Sequence, residues 1–169
     1  CAKALEHDAP THCVNCQTII AQGNLANSYH KLGRLEHALQ MDRDVYSGRL
    51  KLHGEEHYDT LLSANNYAAG LIALRRFEEV KTLMRKTLPV ARRVLSESNK
   101  LTLKIRSTYA EALYVDPAAT HDDLREAVNT LEETTQTVRR VFGGAHAFTK
   151  AIEHQLQDAR DALYARGLP

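Results

Sequence analysis

The chain has 169 residues and a mass of 19.0 kDa, room for one compact domain or a short repeat array. Hydrophobic residues make up 43% and charged residues 25%, which excludes a disordered chain; 22 basic against 21 acidic residues give a net charge of +1, with no global attraction for nucleic acid or an acidic membrane. With no Trp, 8 Gly and 4 Pro the sequence lacks the turn density of a many-stranded β protein, and no apolar run reaches the roughly 18 residues of a membrane span.

The chain begins at Cys1 without an initiator Met, as a fragment would, and shows no basic-then-apolar signal segment. Residues 1–13 read as a linker or the end of a preceding helix. All three Cys lie within the first 16 residues, too clustered to staple the rest of the chain, which points to a reducing, cytoplasmic compartment. Apolar spacings of three and four then predict helices over about 14–32 and 35–53, joined at Gly33-Arg34, where Gly suits a left-handed C-cap. A third helix, 57–75, carries the stripe Thr60, Ala64, Tyr67, Ala68, Leu71 and Leu74. A fourth, 77–95, carries Phe77, Val80, Leu83, Met84, Leu88, Ala91, Val94 and Leu95. Pro89 lies inside it, yet the stripe keeps its phase on both sides, so one continuous, bent helix is predicted. A fifth helix over 99–115 precedes a loop, VDPAATHDD, whose Thr120 and Asp123 form a capping box for a sixth over 121–142. The seventh spans 146–166.

These helices repeat. Residues 24–38 align with 66–80 at an offset of 42, pairing Leu25 with Tyr67, Ala26 with Ala68, Tyr29 with Leu71 and Leu32 with Leu74. Thr18, Thr60 and Thr102 follow the same spacing, as do Tyr67 and Tyr109. The third unit is five residues longer, so that Thr102 matches Thr149 at an offset of 47. In each unit the first-helix stripe led by Leu25, Ala26 and Tyr29 is the expected core. Neither helix of a pair buries its stripe alone, and stacked pairs do, which predicts an all-α solenoid.

The pattern Leu-Ala-x-x-Tyr-x-x-x-Gly-x-Leu/Phe-x-x-Ala resembles the tetratricopeptide repeat. The 42-residue period with Gly54, His57, Thr60, Asn65, Asn66, Tyr67 and Ala68, then Gly143, His146 and Thr149, resembles the kinesin light chain subtype. Tyr58 and Ala147 replace the Pro that usually follows His there. The resemblance covers residues 14–166 and implies a right-handed solenoid of tandem helix-turn-helix units at about 14–56, 57–98 and 99–145, with 146–166 as a terminal capping helix.

It also implies a role: a scaffold that binds a protein or short linear peptide in a concave groove lined by the first helix of each pair. The groove face, rotated from the core stripe, is expected at Asn27, His30 and Lys31, with Ile20 and Gly23; at Leu62, Asn65, Ala69 and Ile72, with Ala73; at Lys104, Ser107, Glu111 and Tyr114, with Val115; and at Ala151, His154 and Asp158. Asn27 and Asn65 are the sharpest candidates, because an amide offers donor and acceptor to an extended backbone whatever its side chains. Mixed charge over a small aliphatic floor suits an amphipathic motif. The alternative is a structural or oligomerisation segment of a larger protein whose activity lies elsewhere.

No cofactor, metal site or enzymatic activity is expected. Cys13-Val-Asn-Cys16 is a lone C-x-x-C, read as packing or surface thiols unless a truncated zinc module supplies a second pair. The pair His53 and His57 is separated by Gly54, which breaks helical ligand geometry. Phosphate-binding and hydrolase motifs are missing, and paired carboxylates such as Glu78-Glu79 diverge around a helix. Arg92-Arg93 and Arg139-Arg140 fit the negative ends of their helices.

Overall fold

A computed structural model describes residues 14–167, with side chains from Gln17 onwards. Among them are seven helices: α1 (Val14–Lys31), α2 (Leu35–His53), α3 (Tyr58–Ala73), α4 (Phe77–Leu95), α5 (Lys100–Tyr114), α6 (His121–Phe142) and α7 (Ala147–Ala165). The all-α expectation holds, and each boundary lies within two residues of the predicted one. α4 runs unbroken through Pro89. Thr120 and Asp123 form the reciprocal capping box that starts α6, and Gly33 takes the left-handed conformation (φ 70°) that ends the first helical segment.

The linker motif acquires a physical meaning position by position. Gly54 and Gly143 sit at φ 81°, turning the chain out of α2 and α6. His57 and His146 then cap the next helix: each Nδ1 accepts a hydrogen bond, from the Asp59 amide at 3.2 Å and the Phe148 amide at 3.0 Å. Asn99 does the same with its Oδ1 at 2.8 Å from the Leu101 amide. The motif Thr is buried against the preceding helix, where Thr102 donates to the Ala91 carbonyl at 3.3 Å and Thr149 to those of Val138 and Gly143.

The helices gather into two units, one ending at Leu74 and the other starting at Arg75. In the first, α1 and α3 both pack on α2, around buried Ile19, Ala26, Ala38, Leu39, Val45, Leu61, Ala64, Ala68 and Leu71. Tyr46 stacks on Tyr67 at 6.2 Å. Gly70 permits close approach: a Cβ there would lie 3.0 Å from Leu39 and 3.5 Å from Asp42. One core expectation is corrected. Leu25 is 42% exposed and Leu32 71%, because α2 is the only helix packed along α1 among the described residues.

In the second unit α4, α5, α6 and α7 pack in sequence, and α5 also touches α7. Its core holds Val80, Met84, Leu103, Ile105, Leu113, Leu124, Leu131, Val138 and Ile152, all essentially inaccessible. The inserted loop is pinned by two distant side chains. Lys81 of α4 donates to Asp116 at 2.8 Å, and Arg166 donates to the backbone carbonyls of Asp116, Pro117 and Ala119.

Candidate functional site

In the first unit the expected groove residues divide. Asn27 and Lys31 are exposed on α1, Ala69 is exposed on α3, and Leu62 and Ile72 are half-buried there. His30 turns onto α2, where its Nε2 lies 2.8 Å from Oδ2 of Asp42. Burial raises the Asp42 carboxyl pKa, opposed by the hydrogen bond and charge of His30, and the net shift is upward. Asn65 departs further: at 1% exposure it is a core group, not a surface amide. Its place on the inner side of α3 buries it, and stripe phase alone cannot separate that position from an open one.

In the second unit α5 and α7 lie side by side and their side chains interlock. Lys104 is exposed, whereas Ser107 is buried and donates through Oγ to Oε1 of Gln155. The Gln155 amide donates in turn to Oε2 of Glu111 at 3.2 Å. Glu111 is half-buried, and that burial pushes its carboxyl above the ordinary range. Tyr114 lies beside Glu111 and Asp158; burial first, then those two charges, push its phenol upward. His154 is exposed and pairs with Asp158 at 2.9 Å.

Lys104, Ser107, Glu111 and Tyr114 thus share one strip of α5, and Asp158 meets it from α7. Gln155 belongs to that strip although the repeat register does not select it. Ala151, Gln155 and Asp158 stand at i, i+4 and i+7, the spacing that would have found it. The strip presents an ammonium, carboxylates and a phenol, so it can both donate to and accept from an extended backbone.

Other polar groups stay in the scaffold. The linker histidines act as helix caps, and no group of three or more His, Cys, Asp or Glu able to hold a metal occurs among the described residues. Cys13 and the Cys16 side chain lie outside the described residues. No described helix is long and apolar enough to cross a membrane.

Residues 17–93 match the family model of the tetratricopeptide repeat. Over those residues the chain carries tetratricopeptide repeats. The fold of this repeat protein resembles a kinesin light chain candidate from Podosopora anserina with nearly identical repeats, in two crystal structures, one of a point variant. TM-scores are 0.78 and 0.76, each at 21% identity, over 89% and 86% of this chain and 69% and 66% of theirs. BtubC (BKLC) from P. vanneervenii matches at TM-score 0.58 and 15% identity, over 97% of this chain and 65% of its own. The chain therefore spans about two thirds of each solved relative, and at these identities the likeness is one of fold. No curated protein matches it significantly.

Proposed function

We propose that this array is a binding module that holds a protein partner by a short linear segment laid on its first-helix faces, without catalysis and in a reducing, cytoplasmic setting. Tetratricopeptide domains generally bind proteins, which supports the class of ligand. The observation that carries the reading is the α5–α7 strip, where Lys104, Glu111, Tyr114 and Asp158 gather on two helices in contact and Gln155 already bridges Ser107 and Glu111. Groups of both hydrogen-bonding senses on one strip suit an extended backbone, and the mixed charges suit an amphipathic segment. Asn27, Lys31, Ala69 and Ile72 add a smaller face in the first unit.

An array of immobilised peptides probed with the purified chain tests this. A subset of peptides should be retained, and Glu111→Gln or Asn27→Ala should weaken retention by about fivefold or more, the loss of one hydrogen bond of about 1 kcal/mol, at unchanged thermal midpoint. A chain that retains no peptide, or whose binding ignores both substitutions, overturns the reading.

A further inference from the structure

The two termini of the described array differ in chemistry. In α1 and α5, Ile19 and Ala26, and in register Leu103 and Ala110, are buried. The same register positions in α7 hold Lys150 and Gln157, both exposed, so α7 offers no apolar seat to a further second-type helix. α1 shows the opposite. Its Leu25 and Leu32 stand in water at the positions where Tyr67, Tyr109 and Leu156, then Leu74 and Leu163, are half-buried or buried.

Wherever this position is covered, the preceding second-type helix contributes to the cover, although the Tyr109 hydroxyl also donates to Glu126 of α6 at 2.8 Å. Tyr46 of α2 stacks on Tyr67, Arg85 of α4 reaches the Tyr109 hydroxyl at 3.3 Å, and α6 packs on α7, where Leu156 is buried. The motif Thr of α3, α5 and α7 is buried, whereas Thr18 of α1 is exposed. The linker Gly and His are absent there, but the start of α1 keeps the register of the other two positions: Asn15-x-x-Thr18 repeats Asn99-x-x-Thr102. We infer that the Leu25–Leu32 face of α1 is the seat of an amphipathic second-type helix, chemically like α2 or α4, belonging to a further repeat that precedes α1 in the same polypeptide. The three equivalent interfaces and the retained Asn-x-x-Thr register select that occupant over a second copy of the chain or a foreign helix.

Grafting supplies the test. A copy of residues 35–56 replaces residues 1–14 and joins at Asn15, the register at which α2 meets α3; a second graft with residues 77–98 guards against misfit of one helix. Each is compared with the 1–169 chain by amide hydrogen exchange and thermal unfolding. Covering two leucines should slow exchange across α1 by about tenfold or more and raise the midpoint in at least one graft. Leu25→Lys with Leu32→Lys should erase that gain while barely moving the ungrafted chain. Failure of both grafts to protect α1 overturns the inference. So does an ungrafted chain that sediments as a dimer and becomes a monomer on the same double substitution, since a second copy would then occupy the seat.

Discussion

Lys81 and Asp116, 35 residues apart in sequence, form a 2.8 Å ion pair in which both side chains are more than nine-tenths buried. Glu78 also accepts from Lys81 at 2.8 Å, and Asp123 stands at 3.9 Å. Burial alone would raise the Asp116 carboxyl, but the Lys81 hydrogen bond, the Ala118 amide and the Lys81 charge outweigh it and hold it below its ordinary value. Burial would lower Lys81, and the same partners raise it instead.

Asp116 therefore adds stability above the unfolded carboxylate value of about 3.9 and loses it as pH falls through the lower folded value. Lys81 adds stability below about 10.4 and loses it as pH rises through its higher folded value. Lys81→Met should cost about 3–5 kcal/mol at neutral pH, because it strands a buried carboxylate. In urea titrations that loss should shrink as pH falls, because without Lys81 the buried Asp116 takes up a proton above the ordinary carboxylate value of about 3.9. A loss independent of pH would show the pair to be electrostatically neutral for stability.

Ser96 occupies the linker place of Gly54 and Gly143, at φ 78° and ψ 160°, a region open in practice only to glycine. Ser96→Gly should stabilise by about 1 kcal/mol net, with strain relief of about 1–3 kcal/mol offset by the freer unfolded chain. Gly54→Ala should cost a similar amount, although a Cβ there meets nothing within 4 Å, because the backbone alone is strained. Denaturant midpoints at constant slope check both signs.

The linker histidine should be replaceable by the residue that does its work in the next linker. His57→Asn should leave stability within about 0.5 kcal/mol, whereas His57→Ala should lose about 1 kcal/mol with the cap. Thermal midpoints of the two variants decide it; equal losses would give His57 a role beyond its Nδ1 acceptor, such as its 4.5 Å stack with His53.

Asn65→Ala, a substitution that a surface amide would tolerate, should destabilise the chain by about 1–3 kcal/mol, since a buried polar group is replaced by a small void. Pro89→Ala should act in the other direction. Pro89 is exposed inside α4, and removing an interior proline from a helix is worth up to about 3 kcal/mol. Unchanged unfolding midpoints in either variant would contradict these assignments.

The fold was readable because its signals are redundant. Helical spacing, the 42-residue offset and the linker Gly, His and Thr all mark the same boundaries, so no single ambiguous residue could shift a helix. The candidate site was less readable, and for a definite reason. Periodicity fixes the angle of a side chain around its helix but not what stands opposite. Asn65 and Asn27 share a stripe, yet one is enclosed and the other open. Leu25 shares the register of Tyr109, yet only Tyr109 has a helix against it. His30 finds Asp42, and Ser107 finds Gln155 at 48 positions' distance, through tertiary packing that neither composition nor spacing encodes.

The clamp on the inserted loop has a kinetic side. Its carbonyls are held by Arg166, 50 residues downstream of Asp116, and its carboxylate by Lys81, 35 residues upstream. Neither contact is local, so the entropic cost of closing both chain segments precedes any ordering of residues 115–120. The loop should consequently be the last part of the second unit to acquire protection during refolding, and a probe at Pro117 would time the completion of that unit from both of its ends.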